Sequence, residues 1–203
     1  MHVEALTREG KILFPKLRRF KNFYLVGGTA LALQIGHRIS VDFDMFSQDE
    51  LSDNLLQQIK RVFGSIITVT YRSSQQINLL VDGVKMTFFH YPYPVLTPTV
   101  LLSGVPTSSI LEIAAMKAFA MGQRASNKDY VDWYFMLKEK LVSINQAVEL
   151  ARKKFGGEFN DRLFLGQLIS LEDVVPQKID FLRDEVNNTS IQKFLREEVK
   201  KYA

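Results

Sequence analysis

The spacing of apolar and polar residues along this chain changes near the middle of the sequence. Up to about residue 90, short runs rich in β-branched and aromatic residues alternate with amphipathic stretches, which is typical of strands and helices around a sheet. Beyond about residue 108, apolar residues recur at helical spacing almost to the end. We therefore predict an α+β fold, in which an α/β-type mixed β-sheet with flanking helices is followed by a helical bundle.

The first half of the chain contains the predicted sheet. Thr29 is predicted as the N-cap of a helix, and Ser47 with Glu50 predicts a capping box at a later helix. Asp82 and Gly83 separate two apolar runs and predict a two-residue hairpin turn. The predicted elements are one helix or a broken pair over residues 3–20, strands over 23–26, 40–46, 66–71, 77–81 and 84–90, and helices over 29–35 and 48–63.

Four prolines between residues 92 and 106 mark a change of architecture, because proline interrupts both strand ladders and helix interiors. We therefore predict a sheet domain over residues 1–105 and a helical domain over residues 106–203. The predicted helices lie near residues 110–123, capped by Ser108 or Ser109, 128–140, capped by Asn127, and then 143–155, 160–169, 172–186 and 189–202.

Composition limits the class of protein. The chain has 203 residues, of which 46% are hydrophobic, and it contains no cysteine, which excludes disulfides, thiolate metal sites and cysteine nucleophiles. No run reaches the roughly 18 apolar residues of a membrane span, and the charged N-terminus lacks the apolar core of a signal peptide. We expect a cytoplasmic protein without a membrane partner. The net charge of +4 permits nucleic-acid binding without requiring it.

Two aspartates are the first candidate for chemistry. Asp42 and Asp44 alternate along the strand predicted over residues 40–46, so their carboxylates should share one face with Cα atoms about 7 Å apart. Ligation by oxygen alone suits Mg²⁺ or Mn²⁺. The pattern by itself is weak, since it also occurs in enzymes that use nucleotide sugars and in solvated turns.

A glycine turn precedes this pair. Gly27, Gly28 and Thr29 follow a predicted strand and open a helix, which places backbone N–H groups and a hydroxyl where a phosphate binds well. Conformational need alone would explain the glycines, but it would not explain the carboxylates nearby. Together the two features predict a site for a metal ion and phosphate.

At residues 27–44, which read GGTALALQIGHRISVDFD, the sequence resembles the nucleotidyltransferase superfamily. Arg38 and Ser40 ahead of the aspartates make it similar to the AbiEii/AbiGii toxin family of prokaryotic abortive-infection and toxin–antitoxin systems. Residues 110–137 are similar to that family's helical region, in which a lysine is followed by an arginine and then by a K/R-D-x-x-D run. Here these are Lys117, Arg124 and the run from Lys128.

The resemblance implies an enzyme that moves an NMP group from an NTP to an acceptor hydroxyl, with Mg²⁺ or Mn²⁺ as cofactor. It also implies an RNA acceptor, such as a tRNA 3′ end, and a cognate antitoxin protein as partner. The implied residues are Asp42 and Asp44 for the metal, Gly27, Gly28, Thr29, Arg38, Ser40 and Lys117 for the nucleotide, and Asp42, Asp44, Lys117 and Asp129 for catalysis.

Lys117 lies among small and apolar residues, so its ammonium group should face either a cleft or a carboxylate, unless it reaches solvent from the helix edge. Asp129 and Asp132 share one helix face and are near enough to share a partner such as Lys117 or Arg124. Asp129 is the first choice for a catalytic or lysine-positioning role. A purely structural ion pair is the alternative, above all for Asp132.

One position departs from the pattern of polymerase-type nucleotidyltransferases, which carry a third carboxylate on a later strand. In the strand predicted over residues 84–90 that position falls on Thr87, and neither face of the strand offers an acid. The alternative hypothesis is therefore a degenerate nucleotidyltransferase that serves as a nucleotide- or protein-binding module.

Overall fold

The computed structural model describes residues 1–64, 67–123, 126–175 and 177–202. The chain forms two compact units. The first contains residues 1–94 and 98–108, and the second contains residues 95–97 and 109–203. Ile66, at which the sequence predicts the start of a strand, and Arg124 lie outside the described residues.

The first unit is built on a mixed sheet, to which the described residues contribute seven strands in the order β3-β4-β5-β2-β1-β7-β6. The strands are β1 Tyr24–Val26, β2 Phe43–Ser47, β3 Ile67–Arg72, β4 Gln76–Val81, β5 Val84–His90, β6 Val100–Leu102 and β7 Val105–Thr107. The helices are α1 Arg8–Leu13, α2 Gly27–Ile35 and α3 Leu55–Phe63, with 3-10 turns at Val3–Ala5 and Phe14–Arg19.

The centre of the sheet joins elements that are distant in sequence. Strand β2 pairs antiparallel with β1 and parallel with β5, while β3, β4 and β5 form an antiparallel meander. Asp82 and Gly83 both have positive φ, as a two-residue hairpin turn of this kind requires. The predicted mixed sheet and its hairpin are thereby confirmed.

Helices cover one face of this sheet. Phe88 on β5 packs against Phe20 with ring centroids 4.9 Å apart, and Phe43 on β2 packs against Phe14 at 6.1 Å. All four rings are buried. Because side chains alternate along a strand, the neighbours of Phe43 and Phe88 in sequence project from the opposite face. Asp44 and Thr87 lie on that opposite face and are only partly buried.

Several predicted boundaries in the first unit were wrong. Helix α2 begins at Gly27, so Thr29 lies inside the helix and does not cap it. Ser47 ends β2, and the helix predicted over residues 48–63 begins only at Leu55. The proline-rich stretch contains the short strands β6 and β7, which we did not predict; β7 pairs with β1, a partner that local sequence does not reveal.

The second unit is helical, as predicted. Its helices are α4 Ile110–Met121, α5 Asn127–Lys138, α6 Ile144–Phe155, α7 Asp161–Leu168 and α8 Asn188–Tyr202, with 3-10 turns at Gly156–Glu158 and Leu171–Asp173. The helix predicted over residues 172–186 was wrong, since the described part of that range contains no α-helix. Ser109 caps α4 as predicted, but the N-cap of α5 is Ser126 and not Asn127.

A buried ion pair holds the second unit together. The ammonium group of Lys154 on α6 donates to Glu112 on α4 at 2.6 Å, and both side chains are almost fully buried. The second carboxylate oxygen of Glu112 accepts hydrogen bonds from the backbone N–H groups of Leu96 and Thr97. Removing either charge would leave the other buried without compensation, so this pair fixes where residues 95–97 join α4.

No helix in the described ranges is both long enough and apolar enough to cross a membrane.

Candidate active site

The turn between β1 and α2 places a carboxylate at a helix N-terminus. Gly27 has a φ of +72°, a conformation that favours glycine, and a Cβ built on it would lie 3.0 Å from Oδ2 of Asp44. The Asp44 carboxylate therefore packs directly against the first residue of α2. The helix dipole favours negative charge at this point, whether it belongs to a side chain or to a bound phosphate.

Gly28 is required for a different reason, which is close packing. A Cβ on Gly28 would lie 2.5 Å from Nη2 of Arg38. The Arg38 side chain is only 2% exposed and donates a hydrogen bond to the carbonyl of Ile39 at 3.1 Å. Arg38 thus lies buried beneath the turn, and Gly28 leaves the space that its guanidinium group occupies.

We expect Gly28→Ala to destabilise the protein by about 1–3 kcal/mol, because the added methyl group would displace a buried guanidinium. The matched control is Gly166→Ala in α7, where a Cβ would meet no atom within 4 Å and alanine is the better helix former. Urea unfolding measures both. Equal stability of the two variants would contradict the close packing of Arg38 against the turn.

Thr29 and Ser40 link the turn to the segment that carries Asp42. The Thr29 hydroxyl shares a hydrogen bond of 2.8 Å with the Ser40 hydroxyl and donates to the backbone carbonyl of Asp42. Thr29 is 2% exposed. Its side chain therefore holds the residues ahead of β2 in place and is turned away from solvent.

The prediction that the two aspartates share a strand was wrong. Strand β2 begins at Phe43, so Asp42 directly precedes it. The backbone groups before Phe43 form hydrogen bonds outside the strand ladder. The N–H of Ser40 donates to the carbonyl of Ala5 at 2.8 Å, and the Thr29 hydroxyl donates to the carbonyl of Asp42. Both aspartates are nonetheless partly exposed.

The donor set suits Mg²⁺. Within the described ranges no group of three or more His, Cys, Asp or Glu side chains could enclose a metal ion. Mg²⁺ is commonly bound through one or two carboxylates, with water and substrate phosphates completing its octahedral shell. Asp42 and Asp44, with only oxygen donors and partial exposure, fit that arrangement.

Thr87 lies directly beside Asp44. The pairing of β2 with β5 brings the two residues opposite each other, and Asn78 of β4 lies opposite Thr87 on the far side. The position where polymerase-type enzymes carry a third acid thus holds a hydroxyl. Our sequence reasoning missed Asn78, although a two-residue turn at Asp82 and Gly83 already determines its pairing with Thr87.

In the second unit, Lys117 lies between two carboxylates. Its ammonium group is 2.7 Å from Oδ1 of Asp129 and 2.7 Å from Oδ2 of Asp132. Asp129 also accepts hydrogen bonds from the N–H and hydroxyl of Ser126, which closes the capping box of α5. The prediction that Lys117 faces a carboxylate is therefore confirmed, as is the sharing of one partner by the two aspartates.

Charge pairing outweighs burial at both ends of the Lys117–Asp129 pair. Burial is the largest single influence and opposes both charges, but the attraction between them, together with their hydrogen bond, holds the pKa of Asp129 below its usual value. Burial likewise opposes the charge of Lys117, but attraction to Asp129 and Asp132 and hydrogen bonds with both raise its pKa above the usual value. The lysine is therefore charged across the physiological pH range.

A comparison with protein-family models identifies the family. The model of the family described as "Nucleotidyl transferase AbiEii toxin, Type IV TA system" matches residues 12–202. An uncharacterized protein of Aquifex aeolicus, aq_aa25, is 31% identical over 186 residues, which cover 89% of this chain and 88% of that protein.

Solved structures share the fold. MenT4, a nucleotidyltransferase toxin from Mycobacterium tuberculosis, superposes with a TM-score of 0.66 at 16% identity over 93% of this chain and 80% of its own. JHP933 from Helicobacter pylori superposes with a TM-score of 0.54 at 14% identity over 97% and 96% of the two chains. The predicted nucleotidyltransferase-like α+β fold is confirmed, and the chain belongs to the AbiEii nucleotidyl transferase toxin family.

Proposed function

We propose that this protein transfers an NMP group from an NTP to an acceptor hydroxyl in a Mg²⁺-dependent reaction. The observation that carries the proposal is the packing of the Asp44 carboxylate against Gly27 at the N-terminus of α2. That contact puts a carboxylate, which could bind Mg²⁺, next to backbone N–H groups suited to phosphate. A nucleoside triphosphate bridged to the protein by Mg²⁺ needs both features side by side.

The residues of the first unit have two proposed roles. The N–H groups of Gly28 and Thr29 would donate hydrogen bonds to phosphate oxygens. The Thr29 hydroxyl, Ser40 and Arg38 would hold the turn and the Asp42 segment in place. Asp42 and Asp44 would hold Mg²⁺, which when bound offsets the negative charge that grows on the phosphates as pyrophosphate leaves. The acceptor oxygen forms its bond to the α-phosphorus as the bond to pyrophosphate breaks.

Lys117 and Asp129 are assigned to the same reaction by the family resemblance. Lys117 would offset charge on the departing pyrophosphate, and Asp129 would act as a positioning residue, since it touches the ammonium group at 2.7 Å. Asp132 makes an equivalent contact from a fully buried position, which favours a structural role for it.

Membership of this family supports a proposal for the acceptor and the partner. We propose an RNA acceptor, such as a tRNA 3′ end, and a cytoplasmic toxin whose activity a cognate antitoxin protein restrains. A chain of net charge +4 is compatible with an RNA substrate.

One observation favours a second function. Thr87 occupies the place beside Asp44 where polymerase-type enzymes carry a third acid. A site with two carboxylates can bind an NTP with Mg²⁺ and yet lack the group that activates the acceptor hydroxyl. The alternative is therefore a nucleotide- or protein-binding module without turnover.

A screen of four α-labelled NTPs against total RNA, with and without Mg²⁺, tests the proposal. We expect label to enter RNA with one NTP or a subset, and only when Mg²⁺ is present. Calorimetry of each NTP should accompany the screen. NTP binding without transfer to any RNA would favour the binding module, and absence of both would contradict the proposed site.

A further inference from the structure

We propose that the solvent-side face of strands β3, β4 and β5 binds the single-stranded end of the acceptor RNA. We call this surface the acceptor face and define it by Tyr71, Gln76, Asn78, Lys85 and Thr87. The inference rests on the proposed function, because it locates the second substrate of that reaction. All five residues belong to the first unit.

A row of side chains leads across the sheet from the metal ligand. Asp44 lies opposite Thr87, Thr87 opposite Asn78, and Asn78 opposite Tyr71, so all four project from one face. Neighbouring strands lie about 4.8 Å apart, which puts Tyr71 about 14 Å from Asp44. A chain end that lies along this row would bring its terminal hydroxyl to the carboxylates.

A β-bulge puts Tyr71 on this face. Val69 pairs with Leu79, whereas Tyr71 pairs with Asn78, so the register shifts between the two. In a regular strand Val69 and Tyr71 would share a face, and Tyr71 would lie on the side of the buried Leu79. The extra residue reverses the alternation and turns the ring toward the row. Bulges that re-aim a side chain in this way are common beside active sites.

Side chains on the acceptor face are more exposed to solvent than those on the opposite face of the same strands. Leu79 and Met86 on the helix-covered side are each 1% exposed, whereas Tyr71 is 52% exposed and Lys85 is exposed. Burying an aromatic ring would be favourable, so a ring left half in water is available to a ligand. Gln76 donates to Asn78 at 2.8 Å, which aligns two amide groups along the row.

One lysine lies on this face near the aspartates. Strands β2 and β5 run parallel, with Phe43 opposite Met86. Lys85, one residue before Met86, therefore lies near Asp42, one residue before Phe43. Of the two basic residues in residues 67–90, Lys85 lies on this face, whereas Arg72 pairs with the buried Ile77 and lies on the other face. An RNA end must approach two carboxylates here, and a neighbouring cation offsets that repulsion.

These groups match single-stranded nucleic acid better than a protein. An exposed ring offers a stacking surface to any base, amides and a hydroxyl serve sugar and base edges, and a lysine serves a phosphate. A protein partner would instead require a larger apolar patch. Phe46 and Phe89 lie on the same side of the sheet, but both are partly buried and pack against each other with ring centroids 5.2 Å apart. Tyr71, at the far end of the row from Asp44, is the ring that this row exposes.

The test is binding of a short, fluorescein-labelled single-stranded RNA of mixed sequence, followed by anisotropy without NTP. Loss of one stacked base should weaken binding of Tyr71→Ala roughly tenfold, and Tyr71→Phe should restore it. Lys85→Gln should lower the slope of log affinity against log salt concentration by roughly 0.7, the value for one single-strand phosphate.

Controls come from elsewhere in the same unit. Leu101→Ala removes a side chain that is 70% exposed on the opposite edge of the sheet, and Lys60→Gln removes an exposed charge on α3. Both should bind RNA like the wild type. Wild-type affinity and salt dependence in Tyr71→Ala and Lys85→Gln, or the absence of RNA binding by the unaltered protein, would overturn the acceptor face.

RNA binding and label transfer by the unaltered protein separate this inference from the proposed function. RNA binding that depends on Tyr71, found while the unaltered protein transfers no label from any NTP, would support the acceptor face and refute the transferase. Transfer with an unchanged KM for RNA in Tyr71→Ala and Lys85→Gln would support the transferase and refute the acceptor face.

Discussion

Asp44→Asn should lower Mg²⁺-dependent transfer at least about 1000-fold, because charge stabilisation by a bound metal is worth several kcal/mol and each 1.4 kcal/mol is a factor of ten. Asparagine keeps the size of the side chain that packs against Gly27, so the fold should survive. Incorporation of an α-labelled NTP into RNA measures the effect.

The matched control is Asp53→Asn, which removes an exposed carboxylate from the same unit. It should retain transfer at the wild-type rate, and both variants should unfold at similar urea concentrations. Undiminished transfer by Asp44→Asn would show that the carboxylate beside the glycine turn does not hold the reacting metal. Loss of transfer together with loss of folding would call for Asp42→Asn as the second measurement, because Asp42 lies ahead of β2.

The second large effect concerns stability. Lys117→Met should destabilise the protein by about 3–5 kcal/mol at pH 7, since it leaves the partly buried Asp129 and the buried Asp132 beside each other without their shared cation. Lys153→Met, at an exposed position on α6 of the same unit, is the matched control and should have little effect. Urea unfolding of the two variants measures the difference.

The dependence of stability on pH should reverse sign in Lys117→Met. In the wild type the pKa of Asp129 is below its usual 3.8, so its stabilising contribution is present above that pH and is lost as the pH falls through the folded-state value. Without Lys117, burial and the neighbouring Asp132 would raise the pKa of the same carboxyl. The folded variant would then bind more protons than the unfolded chain, and its stability should increase as the pH falls from 7.

A double variant, Lys117→Met with Asp132→Asn, should recover part of the lost stability, because it removes the like charge next to Asp129. A variant that is as stable as the wild type at pH 7, or that loses stability on acidification in the same way, would contradict the shared ion pair. If Lys117 also serves transfer, the double variant should remain inactive although it is better folded.

Local signals predicted much of the candidate site. The glycine turn at Gly27 and Gly28, the end of α2 at Gly36 and the hairpin at Asp82 and Gly83 all depend on the conformation of one or two residues. Such features can be read from residue type, because positive φ and close backbone approach select glycine. The family could be assigned for a similar reason, since its motif lies within 18 consecutive residues, 27–44.

Caps and strand ends were predicted less well, because several partners compete for the same polar group. Thr29 and Ser47 are good N-cap residues by type, yet the Thr29 hydroxyl bonds to the Asp42 carbonyl and Ser47 ends a strand. Strand β7, which contains Pro106, pairs with β1, whose residues lie about 80 positions earlier. No window of local sequence contains both partners of such a contact.

The sequence by itself determined the family, the mixed sheet, the hairpin and the residue types available for metal and phosphate. Only the tertiary structure decided which groups meet: Asp44 against the first turn of α2, Thr87 in place of an acid beside it, and Lys117 between two aspartates. It also decided that a bulge turns Tyr71 toward the same face as Asp44. Local conformation depends on residue type, whereas these contacts depend on strand register and helix packing, which the whole chain settles together.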